Sequence, residues 1–549
     1  MPISTSQRNA RVRPILFMIA WSLSVISSAA VNLEELTFSS LRNNAGQGAA
    51  EILAIDAPSQ TILVINPPLG HIDRFAFDEA ALLSKSPTRG LTRLPSIELN
   101  QELRKQGLLG SGFSWTATSI DLWSEANLIA VSIAMESKTS EIAPTGYVLF
   151  FSLDQGAFID AIEVGRHPDM IKFIDSKTRG LELLVANEGE PNPQGTYDGE
   201  GSISVISIEN VRDSSLWRHT LIPLVDQATA IQSLIRLDAR TKNPLKDLEP
   251  EYLSVTNDSQ YAFISLQENN AIGVLNLATK RVETIFGLGV KHHDQPGQEV
   301  DVSVQDGGWQ LKSWPIDSYF MPDAIAVFEH QTGIYLVSAN EGDTRDWLGH
   351  EDSIKVSRIK CKPSNATSPP AWHGQRSEYH LGALEVDRLP IIDNSPACPE
   401  RITAFGGRSI SVWNPASGQL VWDSASDMSA RVSRCLSADP MDRRSPKRGI
   451  EPEGLALAHI GDQTIAFVGL ERGNAILAYD LTEPAHGQYA GGIYFQDGRH
   501  RGPEAMKFLP SERNANEGLL FASFEYTATI AVFHVSMRST VGDKTDACW

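Results

Sequence analysis

The sequence predicts an all-β fold, a single β-propeller of seven or eight blades with long loop insertions. Five times, a proline followed by an acidic residue opens an apolar run, and a strand-like run that ends in another acid follows. A degenerate unit repeated along a chain indicates an array of similar supersecondary elements. An array of all-strand units is typical of a propeller. The five pairs are Pro168-Asp169, Pro250-Glu251, Pro322-Asp323, Pro452-Glu453 and Pro503-Glu504.

Eight units can be placed along the chain, each made of short β-branched or aromatic runs separated by Gly, Asn, Asp or Ser turns. The sixth unit, RITAFGG to LVWDS, lacks the proline-acid opening. It either belongs to the fifth unit or forms a blade of its own, so the blade number stays at seven or eight. The units cover 50–76, 118–153 and 168–210, begin again at 250 and 322, cover 401–424, and begin again at 452 and 503.

Insertions separate some of these units. The segment 229–242 carries Ile231, Leu234 and Ile235 at helical spacing, which predicts a helix. The segments 286–320, 359–400 and 428–449 are rich in Pro, Ser, Asp and Arg, and we expect long surface loops there.

The N-terminal residues 1–30 have the features of a secretory signal peptide. Three arginines precede an apolar run from Pro14 to Ala30, and the small residues Ser28, Ala29 and Ala30 predict cleavage after Ala30. The propeller domain then spans 31–549, with repeat units over about 50–535 and a short tail at 536–549. We expect a secreted, extracellular or periplasmic protein without a membrane span in the mature chain.

Export agrees with the cysteines and with two glycosylation sequons. The four cysteines, an even number, predict two disulfides with three alternative pairings. Pairing Cys361 with Cys398 and Cys435 with Cys548 would close an insertion and fix the tail. Asn257 and Asn365 begin N-x-S/T sequons, which predict glycosylation where the host modifies exported proteins.

The formal net charge of −20 argues against nucleic-acid binding, which needs a basic surface. We expect a monomer whose partner is an unidentified extracellular ligand or protein. The sequence shows no GxSxG, P-loop or HExxH motif, so it names no catalytic residue.

The repeated acids predict one rim of carboxylates, because first-strand starts and second-strand ends meet on one face of a propeller. Three explanations stay open: caps within each blade, a hard-cation site that favours Ca²⁺ or another divalent metal, or a catalytic metal site for phosphoester hydrolysis. The candidate metal ligands are Asp169, Glu188, Glu251, Glu268, Asp323, Glu341, Glu453, Glu471, Glu504 and Glu525.

Arg345, Arg408 and Arg472 follow acids closely and are the candidate phosphate or anion ligands. A metal-dependent phosphoesterase would need one of them free to hold the phosphate. Otherwise the acids and arginines neutralise one another, and the rim belongs to a binding protein.

Stretches along most of the chain resemble the choice-of-anchor I family, which includes proteins named mesenchyme-specific cell surface glycoprotein. They include VANEGEPN, KDLEPEYLSV, MPDAIAVF, YLVSANEGDTRDW, FGGRSISVWN, EPEGLALA and FVGLERGNAILAYDL. The resemblance implies an exported propeller of the YVTN-repeat type at a cell surface, and an alkaline phosphatase label on some members suggests the phosphoesterase alternative. Here IIDNSPACPERI replaces the family's calcium-loop-like stretch, and Ala505 replaces a glycine.

Overall fold

The computed structural model describes residues 30–41, 48–84, 90–137, 144–192, 194–232, 235–238, 243–347, 350–364, 368–390, 397–437 and 442–537. The predicted signal peptide up to residue 29, the sequon residue Asn365 and Cys548 lie outside the described residues.

The described residues contain seven sheets built on four antiparallel strands, which we number in chain order. Six of them have four strands only, and sheet 4 has a fifth, parallel strand at its edge, Ala230–Ile231. Buried residues occupy both faces of the central strands, as in Thr61–Asn66 and Gly180–Asn187.

Sheet 1 comprises Leu53–Asp56, Thr61–Asn66, His71–Ala76 and Thr92–Glu98. Sheet 2 comprises Phe113–Trp123, Leu128–Ser137, Tyr147–Ser152 and Phe158–Glu163. Sheet 3 comprises Pro168–Ser176, Gly180–Asn187, Ser202–Ile208 and Arg218–Pro223. Sheet 4 comprises Leu253–Val255, Tyr261–Leu266, Ala271–Asn276 and Arg281–Gly287.

The remaining sheets contain the long insertions and the closure of the ring. Sheet 5 comprises Ile325–His330, Gly333–Asn340, Ser409–Asn414 and Gln419–Asp423. Sheet 6 comprises Pro452–Ile460, Gln463–Leu470, Ala475–Asp480 and Gln488–Tyr494. Sheet 7 comprises Pro503–Pro510, Glu517–Phe524, Thr529–Met537 and the N-terminal strand Val31–Ser40.

The first strand of each sheet contacts the first strand of the next, and the first strand of sheet 7 contacts that of sheet 1. The N-terminal strand Val31–Ser40 pairs with Thr529–Met537, so both ends of the described chain close the ring. This closed ring of sheets confirms the β-propeller prediction. The strand begins at Val31, directly after the predicted cleavage site.

The sixth unit predicted from the sequence is part of sheet 5. Ser409–Asn414 pairs with Gly333–Asn340, so a long insertion divides this sheet between its second and third strands. The missing proline-acid pair at Arg401 has a physical reason, since no channel-lining strand begins there.

Two insertions form a small sheet of their own instead of loops. It joins Val290–His292, Asp317–Tyr319, Thr403–Ala404, Glu385–Asp387 and Ser353–Lys355. Its apolar core includes Trp314, Trp372 and Leu381, all buried. A short hairpin, Asp346–Trp347 with His350–Glu351, lies beside it in sequence.

Helices are short in the described residues. The α-helices are Glu79–Leu83, Leu99–Lys105 and Asp427–Cys435. The 3-10 turns are Pro67–Leu69, Ser124–Ala126, Ser214–Leu216, Pro244–Asp247, Val356–Arg358, Ala371–Gly374 and Glu525–Thr527. In the part of the chain described, no helix has the length and hydrophobicity to cross a membrane.

Two further local predictions were wrong. The helix predicted at 229–242 is absent from its described part, where Ala230–Ile231 pairs in parallel with the last strand of sheet 4. The insertion 428–449, predicted as a loop, instead begins within the helix Asp427–Cys435. That helix buries Met428 and Val432 against sheets 5 and 6.

The predicted disulfide between Cys361 and Cys398 is confirmed. Cys435 is also disulfide-bonded, while its predicted partner Cys548 lies outside the described residues. Asn257 is exposed in the turn between the first two strands of sheet 4, as its sequon requires for modification.

Candidate functional site

A recurring corner positions the acid at the start of the first strand. The residue before the proline has a left-handed backbone, with φ of 47° at His167, 52° at Met321 and 50° at Glu451. Its carbonyl accepts a hydrogen bond from the end of the second strand, as from Glu188 N–H to His167 over 3.0 Å. Such conformations cost about 1–3 kcal/mol for a residue other than glycine, so the surrounding structure must hold them.

Strand pairing is irregular directly after this corner in sheets 3, 6 and 7, where the register shifts just past Pro168, Pro452 and Pro503. An irregularity of this kind bends the strand and re-aims the side chains within it. The acid that follows each of these prolines lines the central channel.

Five acids at the starts of first strands line a central cavity of about 210 Å³, and a sixth acid, Asp121, lines it from further along the first strand of sheet 2. Four of them, Asp169, Asp323, Glu453 and Glu504, were predicted. The fifth, Glu51, was missed because Ala50 replaces the proline of the motif, although GAAEILAID has the same acid-then-apolar pattern. Glu251, which was also predicted, is close enough for its charge to interact with those of Asp169 and Asp323.

The acids that follow the second strands interact electrostatically with the first-strand acids, as Glu341 does with Asp323, and several of them have partners. His167 Nδ1 lies 2.9 Å from Glu188 Oε2, and Arg472 Nη2 lies 3.1 Å from Glu471 Oε1. The carboxyl of Glu525 interacts with the backbone of Gly48 and with Arg472.

Glu341 receives partners from two other parts of the chain. Gln267 donates to its Oε2 over 2.9 Å, and Arg448 approaches its Oε1 at 3.3 Å. Arg448 is not among the rim residues that the sequence predicts, because the composition of its segment, 428–449, predicts a surface loop.

Burial dominates the electrostatics of the rim. It raises the pKa of Asp169 to about 6, those of Glu268 and Glu471 to about 7, and those of Glu188 and Asp323 to about 8. In the same way, burial raises the pKa of Glu51 to about 8, and it raises those of Glu251, Glu341, Glu453 and Glu504 well above the ordinary value. Repulsion between neighbouring carboxylates adds to the effect, as between Glu453 and Glu504.

Three rim oxygens are buried without a hydrogen-bond partner: Oε2 of Glu251, of Glu268 and of Glu453. Asp323, Glu341 and Glu453 each offer one oxygen within 4.8 Å of those of the other two. An unpartnered buried carboxylate is costly unless a proton or a cation neutralises it. These residues can therefore hold either protons or a metal ion.

The three candidate arginines have partners within the protein. Arg345 is 4% exposed, and it contacts Glu249 at 2.6 Å and Asp247 at 3.2 Å. Arg472 lies between Glu451 and Glu471. Burial lowers the pKa of Arg408 to about 10.

Arg408 is held by backbone carbonyls. It donates to the carbonyl oxygens of Asp301, Ser445 and Lys447 over 2.7, 2.9 and 2.9 Å. Its role in the described structure is to fix two inserted segments against sheet 5.

The glycines before Arg408 serve close packing. A Cβ on Gly406 would lie 2.0 Å from the carbonyl oxygen of Glu341, and a Cβ on Gly342 would lie 2.4 Å from Gly406. The FGG and NEG stretches therefore lie backbone against backbone at the rim, and this contact helps to fix Glu341.

The cavity also contains two basic side chains, Lys172 and Lys507. Lys172 Nζ lies 3.2 Å from Asp121 Oδ2. Both lysines also line a second cavity of about 350 Å³ together with Trp123 and Ser124. The two lysines therefore line both cavities, with Asp121 beside them.

The sequence model of the Choice-of-anchor I domain matches residues 77–484. The chain belongs to the choice-of-anchor I family. Family membership confirms the resemblance inferred from the sequence motifs.

Two proteins are similar to this chain in sequence. A mesenchyme-specific cell surface glycoprotein of Strongylocentrotus purpuratus is 27% identical over 277 residues, which are 43% of this chain and 35% of that protein. Gigasin-3a of Magallana gigas is 28% identical over 165 residues, 25% of this chain and 58% of that protein. The match thus spans about a third of the first protein and somewhat over half of the second.

Solved structures with a similar fold include a hydrazine synthase of Kuenenia stuttgartiensis, with a TM-score of 0.43, 11% identity and coverage of 92% of this chain and 99% of that chain. The β-propeller domain of Cps50 (Swd1) from Myceliophteria thermophila gives a TM-score of 0.40, 8% identity and the same coverage. The fold assignment itself rests on the strand pairing and on the closed ring of sheets.

Proposed function

We propose that this chain is an extracellular binding protein whose acidic channel rim holds a divalent cation, with Ca²⁺ as the expected ion. The observation that carries the proposal is the group of Asp323, Glu341 and Glu453, whose oxygens lie within 4.8 Å of one another. Glu453 Oε2 is buried there and has no hydrogen-bond partner.

Carboxylate oxygens are the ligands that Ca²⁺ prefers, and it takes six to eight oxygens in flexible geometry. A bound cation would offset the cost of burial and the mutual repulsion that together raise the pKa values of these acids. Arg448 supplies part of this compensation through Glu341 and Asp343, but it makes no ion pair with Asp323 or Glu453. Cations and protons therefore compete for these two groups.

Extracellular function is supported by three independent features. The N-terminus has the sequence pattern of a signal peptide, and the Cys361–Cys398 disulfide suits an oxidising compartment. The similar protein of Strongylocentrotus purpuratus is named a cell surface glycoprotein.

The phosphoesterase alternative stays a prediction, and no specific observation favours it. All three candidate arginines are engaged by protein groups. A phosphate would have to displace carboxylates or backbone carbonyls from them.

The test is a Ca²⁺ titration of the dialysed mature protein, followed by melting temperature. Binding to the folded state alone stabilises it by about 2.7 kcal/mol at a hundred times the dissociation constant. A variant with Asp323→Asn and Glu453→Gln should lose the part of the shift due to the rim. The matched control Glu283→Gln, an exposed acid of sheet 4, should keep it.

The rim variant should fold, because replacing mutually repelling acids by amides removes repulsion. The proposal is wrong if Ca²⁺, Mg²⁺, Mn²⁺ and Zn²⁺ shift the melting temperatures of the rim variant and of the wild type equally. In that case the rim acids are structural, and the binding surface lies elsewhere.

A further inference from the structure

Three aspartates outside the channel converge in the insertions around sheet 5. Asp301 and Asp306 lie in the insertion before sheet 5, and Asp442 lies in the insertion between sheets 5 and 6. One carboxylate oxygen of each lies within 4.8 Å of those of the other two. None of the three belongs to the acidic rim.

This group differs from an ordinary acidic surface patch because it is buried. Asp301 is 1% exposed and Asp442 is 7% exposed, while the side chain of Asp306 is 5% exposed. Burying several carboxylates together is unfavourable unless cations or hydrogen bonds compensate them.

Compensation of Asp306 is incomplete. Lys312 Nζ lies 2.8 Å from its Oδ2, whereas its Oδ1 is buried and has no hydrogen-bond partner. A cation bound among the three aspartates would supply the partner that this oxygen lacks.

Asp301 is held in place by neutral donors. Its Oδ2 accepts hydrogen bonds from Ser445 Oγ over 3.0 Å and from the Gln310 N–H over 3.2 Å. Burial raises its pKa to about 7, and the charge of Asp306 adds to the shift. Lys312 is a direct cationic partner in the group, while Arg408 donates to the backbone carbonyl of Asp301 and not to its carboxylate.

The local chain suits oxygen ligation. The stretch Asp301-Val-Ser-Val-Gln-Asp306-Gly-Gly brings two carboxylates together within one short loop. Gly307 and Gly308 have φ of 102° and 107°, a backbone that side chains rarely adopt, and they turn the chain directly after Asp306.

We infer that Asp301, Asp306 and Asp442 form a second cation site, separate from the rim, that takes a hard divalent ion such as Ca²⁺. The ion would join two insertions that are far apart in sequence and would fasten them beside sheet 5. Its role is to hold the insertions together, whereas the rim faces the channel.

The experiment is calorimetric titration of the dialysed mature protein with Ca²⁺, with Tb³⁺ luminescence as a second readout. Asp306→Asn should remove one equivalent of bound ion or weaken that site by at least about tenfold, since even outer-shell losses weaken metal binding by about 10- to 100-fold. Asp294→Asn is the matched control, because Asp294 lies in the same insertion and pairs with Arg401 at its surface. It should bind like the wild type.

Lys312→Met keeps the test decisive if Asp306→Asn fails to fold. Removing the lysine frees Asp306 Oδ2, so Ca²⁺ should bind this variant more tightly than the wild type. Unchanged stoichiometry and affinity in Asp306→Asn, or unchanged affinity in Lys312→Met, would overturn the inference.

The rim variant with Asp323→Asn and Glu453→Gln separates the two sites. This variant should still bind the Ca²⁺ ion that Asp306→Asn loses. Conversely, Asp306→Asn should still bind the Ca²⁺ ion at the rim. Failure of the rim proposal therefore leaves this second site standing, and the reverse also holds.

Discussion

Gln267 Nε2 donates a hydrogen bond over 2.9 Å to Oε2 of Glu341, and this bond joins sheet 4 to sheet 5 at the rim. Each residue directly follows the second strand of its sheet. Arg345, which follows the second strand of sheet 5, reaches back to Glu249 before sheet 4 in the same way. Rim acids therefore bind across the boundaries between sheets as well as within one sheet.

This pattern bears on the interpretation of the acids as caps within each blade. Glu188 fits that interpretation, since His167 belongs to the same sheet. Glu341 does not, since Gln267 belongs to sheet 4, and Glu453 Oε2 has no partner that a cap would provide. The rim is better described as one electrostatic unit that spans several sheets.

The metal-free protein should lose stability as the pH rises from about 5 to 8. The unfolded carboxyls titrate near 3.8 and 4.5, whereas in the folded protein burial raises the pKa of Asp169 to about 6, of Glu268 to about 7 and of Asp323 to about 8. Between those values the folded state holds more protons than the unfolded state, so stability falls with rising pH. His167, whose pKa is raised to about 10, acts in the same direction above 6.5.

Melting temperatures in chelator across this pH range check the prediction, and a rise from pH 5 to pH 8 would contradict it. Added Ca²⁺ should stabilise the protein more at pH 8 than at pH 5, because metal ligands must be deprotonated. The rim variant with Asp323→Asn and Glu453→Gln should show a flatter pH profile than the wild type.

The repeat predicted most of the propeller because each unit combines a strong local pattern with a tertiary role. The proline-acid pair marks the innermost strand, where a corner with positive φ and a shifted register recur. The unit at 401–424 lacks the proline-acid pair, and in the structure it completes sheet 5 instead of forming a blade of its own. Sequence periodicity could not decide between a separate blade and a part of the fifth unit, because strand pairing across a long insertion is non-local.

The candidate site was predicted in part, for a different physical reason. The acids recur in register and could be recognised, but their partners do not repeat. Arg448 and Glu249 come from connecting segments, and only the folded chain brings them to Glu341 and Arg345. The buried aspartates at 301, 306 and 442 were not singled out, because two separate insertions supply them.

Replacing Arg345 by methionine should strongly destabilise the protein. Arg345 is buried and holds Glu249 and Asp247, so its loss leaves two buried carboxylates without their cation. Removing one partner of a buried ion pair costs about 3–5 kcal/mol. Urea denaturation at pH 7 measures the change in the free energy of unfolding.

Arg281→Met is the control for Arg345→Met, because Arg281 pairs with Asp226 on the exposed side of sheet 4. Exposed ion pairs contribute little, so this variant should resemble the wild type. Equal effects of the two substitutions would mean that the buried cluster around Arg345 stabilises the fold no more than a surface pair does.

Replacing Lys507 by methionine should stabilise the protein. Burial and, to a lesser extent, the charge of Lys172 together lower the pKa of Lys507 to about 8, and the charge of Asp121 opposes them only in part. Within the described structure, the Lys507 ammonium makes no hydrogen bond or ion pair. An apolar side chain of similar length removes this uncompensated charge, which we expect to add about 1–3 kcal/mol to the free energy of unfolding at pH 7.

The pH dependence of this gain distinguishes charge from packing. Because the folded pKa lies below the unfolded value of 10.5, the unfolded wild type binds more protons between pH 8 and 10.5, and its stability gains from rising pH there. The advantage of Lys507→Met over the wild type should therefore shrink across that range in urea denaturation. Lys172→Met, which takes the partner from Asp121, should instead destabilise the protein. A loss of stability in Lys507→Met at pH 7 would show that the lysine stem contributes more by packing than its charge costs.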